Sequence, residues 1–281
     1  MNIEQIVKEV LSEIQERPKK QHSYTQEYQT KHFIYEKENQ VGVVNPKDYE
    51  YIDDVIHKTP ARIGIGRSGT RMKTKNYIDF RIDHAAAQDA VFKDVDDSVL
   101  ESMNLPILHS SASSMEEYLM NLDVGRRLNK DSEQWLRNNA ETGKQVQIIV
   151  SDGLSSTGIE ETIPDLLPSL VQGLKSKNVS MNDPFFIRKS RVWIQDEVAS
   201  LVGCDLVISL IGERPGLATA KSISAYLIYK PNENSVEADR TVFSNIHEGG
   251  VPPVEAGAYL ADIIEKMLQS KTSGVKFAQL Q

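Results

Sequence analysis

The run Asp205–Gly216, DLVISLIGERPG, constrains the fold of this chain more than any other stretch. Its apolar, β-branched body ends abruptly at Gly212-Glu-Arg-Pro-Gly216. A buried strand reads this way when it delivers a loop to the edge of a sheet. Open α/β sheets place their ligands at such strand ends. Glu213 and Arg214 are therefore presented, with Pro215 and Gly216 setting the turn. Val236-Glu-Ala-Asp-Arg-Thr241 and the polar, Gly- and Pro-rich stretch from Ser244 to Glu255 read as a shaped loop surface.

Gln145–Val150 (QVQIIV) is a second buried-strand candidate, and Ile223–Tyr229 a third. Apolar faces at helical spacing predict helices over Ile163–Lys177, entered through Pro164, over Gln195–Val202 and over Val254–Lys271. Strands alternating with helices indicate an α/β fold whose mainly parallel sheet is flanked by helices. This body is expected to occupy residues 59–281. Ahead of it, Ile3, Ile6, Val7, Val10, Leu11 and Ile14 form one apolar stripe on a charged segment, which predicts an amphipathic helix within residues 1–18. Pro18 ends it. Residues 19–58 are polar and weakly patterned, as in a linker or extended arm. A short helix so placed cannot bury its stripe alone. It docks on its own domain or a partner subunit, or it is a targeting helix read by another protein's groove.

The 281 residues suffice for one large domain or two smaller ones. A net charge of −8, from 40 acidic and 32 basic side chains, argues against general nucleic-acid affinity. One cysteine, Cys204, excludes an internal disulfide and fits a reducing compartment. No uncharged apolar run is long enough to span a bilayer, and the charged N-terminal segment does not read as a secretory signal.

Ile63-Gly-Ile-Gly-Arg-Ser-Gly69 matches Gly-x-Gly-x-x-Gly, the pattern that brings backbone close to a pyrophosphate. It leaves open a nucleotide-binding enzyme using the Gly64–Gly69 loop; the other reading is a glycine turn carrying Arg62, Arg67 and Arg71. Ser151-Asp152 and Ser155-Ser156 read as turn chemistry that caps the following helix. No two of the six histidines have metal-ligand spacing, so no metal site is assigned. Asn245-Ile-His-Glu-Gly-Gly250 approximates Asp-x-His-x-x-Gly, which in some corrinoid proteins offers a histidine to cobalt. Asn cannot act as the orienting carboxylate, and His247 is read as organising its loop.

Taken in order, several long motifs resemble the small (light) subunit of ethanolamine ammonia-lyase. They are Thr59-Pro-Ala-Arg-Ile-Gly-Ile-Gly-Arg-Ser-Gly69, Asp123-Val-Gly-Arg-Arg-Leu128, Val150-Ser-Asp-Gly-Leu-Ser155, Val207–Gly216, Val236–Thr241, Ser244–Gly250 and Pro252-Pro-Val-Glu255. The resemblance implies a Rossmann-like domain that helps hold adenosylcobalamin against a large catalytic subunit. The pair would convert ethanolamine to acetaldehyde and ammonia, and no catalytic residue is assigned to this chain. Three cofactor-binding positions carry over: Val192, Glu213 and Val242, the last where relatives have cysteine. The resemblance also implies residence in a bacterial microcompartment, with residues 1–18 meeting shell or cargo proteins. A non-catalytic microcompartment interaction protein is the other reading.

Overall fold

The computed structural model describes residues 40–280. The helix expected within residues 1–18 and the first part of the arm lie outside them. The remainder of the arm is not featureless. Tyr49–Ile56 forms helix α1, capped by Asp48, whose carboxylate accepts from the Tyr51 amide at 2.9 Å. Strands β1 (Arg67–Ser68) and β2 (Arg71–Met72) then form a two-residue hairpin, and α2 (Thr74–Phe92) follows.

That hairpin corrects the nucleotide reading of Gly64–Gly69. Among the described residues, no strand of the main sheet precedes these glycines, and no helix opens from them. Gly66 has a φ of +69°, and a Cβ on it would lie 2.0 Å from the Gly42 carbonyl oxygen. Its missing side chain accommodates the chain's own backbone instead of a pyrophosphate.

The remaining elements are α3 (Asp97–Ser102), β3 (Ile107–His109), α4 (Met115–Met120), α5 (Lys130–Asn139), β4 (Val146–Ser151) and α6 (Ser156–Ser176). After these come β5 (Phe185–Arg188), α7 (Ile194–Val202), β6 (Leu206–Gly212), β7 (Ile223–Tyr229), β8 (Thr241–Ile246), α8 (Pro253–Ser270) and α9 (Gly274–Ala278). Six strands build the main sheet in the order β3-β5-β4-β6-β7-β8. The first four run parallel; β7 and β8 are antiparallel additions.

Every residue of β4 and β6 is buried, because helices cover both faces of the parallel part. Alternate side chains divide between two cores. Ile148, Val150, Ile208 and Leu210 pack with Leu166 and Leu170 of α6 and Leu260 and Ile264 of α8. On the opposite face, Ile149, Val207 and Ile187 pack with Leu136 of α5 and Val198 of α7. That second core reaches Ile228 of β7 and includes no residue of β8.

Helix α6 starts earlier than its apolar face suggests. The Ser155 hydroxyl caps it by accepting from the Gly158 amide at 2.9 Å, so Pro164 lies inside the helix and not at its entry. The segment read as loop surface contains a strand, β8. Its Thr241, Ser244 and Asn245 hide the apolar alternation that a half-buried strand usually shows. Among the described residues, no helix is long and apolar enough to cross a membrane.

Candidate functional site

A cavity of about 230 Å³ opens at the carboxyl ends of three adjacent parallel strands, β5, β4 and β6. The chain leaves β4 for one face of the sheet and crosses over β4 between β5 and β6, so the loops part here and leave a crevice. Gly153 and Leu154 follow β4, Arg191 to Trp193 follow β5, and Glu213 and Arg214 follow β6. Tyr118 of α4 and Ser224 and Tyr226 of β7 complete the lining.

Glu213 is the most constrained group in it. One carboxylate oxygen accepts from the Ser224 hydroxyl at 2.5 Å and the Asn245 amide at 2.9 Å; the other accepts from the Ser222 hydroxyl at 2.7 Å. Burial works to raise its pKa. The donors from Ser224, Asn245 and Ser222 outweigh that, and the carboxyl is held below its usual value. It is therefore an ionised, fixed acceptor. A carboxylate has about four lone-pair sites, so a ligand's N–H can still be accepted.

Val192 shares this cavity, in the turn that leads into α7. Val242 does not line it. It pairs with Tyr226 in the register of β7 and β8 and is 47% exposed. The Ser224 hydroxyl, which donates to Glu213, accepts from that of Ser244 at 2.9 Å, which puts Val242, two residues before Ser244, on the same sheet face as Ser224 and Tyr226. The structure thus brings Val192 and Glu213 together and sets Val242 beside them, past Tyr226, where α5 and α7 no longer cover the sheet.

The wall carrying Val192 is tied down from behind. Its neighbour Trp193 lies under two guanidinium groups, with the carbon of Arg126 at 4.6 Å and that of Arg240 at 5.8 Å from the ring centroid. Arg240 is 6% exposed. It donates to Asp196 at 2.6 Å, to the Val236 carbonyl at 3.0 Å and to the Gln195 side chain at 3.3 Å. Gln195, fully buried, donates in turn to the Tyr226 carbonyl at 2.7 Å.

Two neighbouring groups have other roles. The Gly249 amide donates to His247 Nδ1 at 3.1 Å, so Nε2 carries the proton and donates to Asn245 Oδ1 at 2.9 Å. Both ring nitrogens are used within the loop, which fits a loop-organising histidine and leaves neither for cobalt. Asp152, at the end of β4, is buried. Desolvation pushes its pKa up to about 6 against the Lys189 amide, which donates to it at 2.7 Å. Its second oxygen has no hydrogen-bond partner. Among the described residues, no group of His, Cys, Asp and Glu could hold a metal ion.

Residues 49–278 match the family model described as Ethanolamine ammonia-lyase light chain (EutC). The chain belongs to this family. It is 48% identical over 233 residues to the ethanolamine ammonia-lyase small subunit of Clostridium tetani, an overlap covering 83% of this chain and 79% of the relative. It is 44% identical over 236 residues to that of Clostridioides difficile, covering 84% and 80%. The Fusobacterium nucleatum small subunit is 48% identical over 217 residues, covering 77% and 74%.

Membership in the light-chain family does not by itself locate a site. Reading the sequence singled out Glu213 from its place at a strand end. It missed Tyr118, Ser222, Ser224, Tyr226 and Arg240. Ser222 and Ser224 carried one usable signal, since two hydroxyls at period two at the entry to a largely apolar strand point to one polar face.

Proposed function

We propose that this chain is the small subunit of an adenosylcobalamin-dependent ethanolamine ammonia-lyase. In this reading the face bearing Val192, Glu213 and Val242 forms one side of a cobalamin site that a large catalytic subunit completes. The observation that carries it is the ionised, triply hydrogen-bonded Glu213 beside Val192 at the crevice where the strand connections part. A corrinoid rim carries amide groups, and a fixed carboxylate with an unused lone-pair site accepts from an amide N–H. Val192 and Val242 offer apolar contact, which suits the macrocycle or its nucleotide base. A hollow of about 230 Å³ takes only an edge of so large a molecule, which fits a site shared between two chains.

The cofactor supplies a homolytically cleavable cobalt–carbon bond, and this chain supplies binding and orientation. Turning ethanolamine into acetaldehyde and ammonia is assigned to the large subunit. The family also suggests work inside a microcompartment, with the apolar stripe of residues 3–14 engaging shell or cargo proteins.

The test is reconstitution. This chain, the large subunit, adenosylcobalamin and ethanolamine should together release acetaldehyde, followed by reduction with alcohol dehydrogenase and NADH. Either protein omitted should leave the mixture silent. Turnover by the isolated chain would overturn the division of labour.

A further inference from the structure

Arg240 is a buried cation at the entry to one strand; it bonds the Val236 carbonyl nearby, and its other contacts lead to another element. It lies two residues before Val242, at the entry to β8. Its side chain leaves β8, reaches Gln195 and Asp196 in the first turn of α7, and covers the ring of Trp193. Gln195 passes the connection on to the backbone of Tyr226 in β7. The three positions read as contacting the cofactor sit on three separate elements: the turn before α7, the end of β6, and β8. Register along β6, β7 and β8 fixes Glu213 and Val242 relative to each other. No sheet pairing fixes the Val192–Trp193 turn relative to β8. The Arg240 network joins them.

We propose that Arg240 is a positioning residue for the cofactor cradle, holding the Val192–Trp193 turn at one fixed spacing from the strand that carries Val242. The inference rests on the cobalamin reading given above. The guanidinium suits this role because it forms three directed hydrogen bonds from one planar fork; a lysine ammonium keeps the charge without the fork. Burying a charge only to pair it with Asp196 gives little net stability. A simpler apolar contact would serve stability as well. What the fork adds is geometry.

Arg240→Lys tests this in the assembled enzyme. Two readouts separate positioning from mere folding. The first is equilibrium binding of hydroxocobalamin, an inactive form, to the complex with the large subunit. R240K should weaken it about tenfold, with kcat at saturating adenosylcobalamin within about twofold of wild type. The second, read on this chain by itself, is Trp193 emission in a Trp135→Phe background, where Trp193 is the chain's one remaining tryptophan; loosening of the turn should shift its spectrum. Should R240K fail to fold, R240Q paired with D196N removes both charges together and keeps the comparison.

Unchanged hydroxocobalamin binding in R240K, with Glu213→Ala clearly weakened, would overturn the inference and leave the cobalamin reading standing. Unchanged binding in both would overturn the reading itself. Equal loss of kcat and of affinity in R240K would also count against positioning.

Discussion

Asp152 and Glu213 sit one loop apart at the same sheet edge, and their surroundings push them in opposite directions. Glu213 has three donors and stays ionised; Asp152 is buried with one oxygen unpartnered and is held near pH 6. For Asp152 the folded pKa lies above its ordinary value of 3.8. Its contribution to stability is therefore fully present below about pH 4 and is lost as pH rises through 6. The full effect is up to about 3 kcal/mol. Asp152→Asn should abolish that component, so urea unfolding should find D152N gaining on wild type between about pH 4 and pH 6 and no further above that. Parallel profiles would show that the carboxyl is not titrating there. Glu213→Ala should weaken cobalamin binding to the assembled enzyme by about tenfold, the scale of one charge-assisted hydrogen bond. It should leave the monomer's circular dichroism unchanged; normal retention of the vitamin would remove Glu213 from the site.

Among the elements, α6 and α8 pack against each other behind the sheet. Gly257 of α8 faces α6 so tightly that a Cβ there would lie 2.7 Å from the Leu166 carbonyl oxygen and 2.7 Å from Ser169 Cβ. Alanine is the better helix former by about 1 kcal/mol, yet Gly257→Ala should destabilise by about 2 kcal/mol because backbone cannot give way. A chemical-denaturation midpoint that stays level or rises would contradict this packing. The same elements show what the sequence made legible. Strands β4 and β6 and helices α6, α7 and α8 announced themselves because burial on both faces leaves continuous apolar runs or clear helical periods. Strands β3 and β5 are only three and four residues long, too short for a pattern to accumulate. Strand β8 was missed for a different reason: one of its faces is uncovered, so selection for an apolar alternation is relaxed there. Val192 and Val242 carry no reactive group that could have drawn attention by type. They entered through family resemblance alone, whereas Glu213 also stood out, together with Arg214, from its position at a strand end.

At the scale of the whole molecule, the proposed function assigns the α/β body and the N-terminal segment separate roles. The candidate site is built entirely from residues 118–245. Deleting residues 1–18 should therefore leave hydroxocobalamin binding and turnover of the reconstituted enzyme within about twofold of wild type. It should instead abolish co-sedimentation with microcompartment shells, measured from a strain that makes them. Unaltered recruitment would reject the targeting role, and lost cofactor binding would mean that the segment reaches the site.

The lone thiol has a practical consequence. Cys204 is buried, and burial pushes its pKa up to about 12, so almost none of it is thiolate near neutrality. No second sulfhydryl exists anywhere in the sequence, and position 242 holds valine. Native, the small chain should be nearly inert towards maleimides and iodoacetamide. Inactivation of the assembled lyase by such reagents would then map to its companion polypeptide, and a cysteine engineered onto the bare β8 surface would give a dye or spin label a single address.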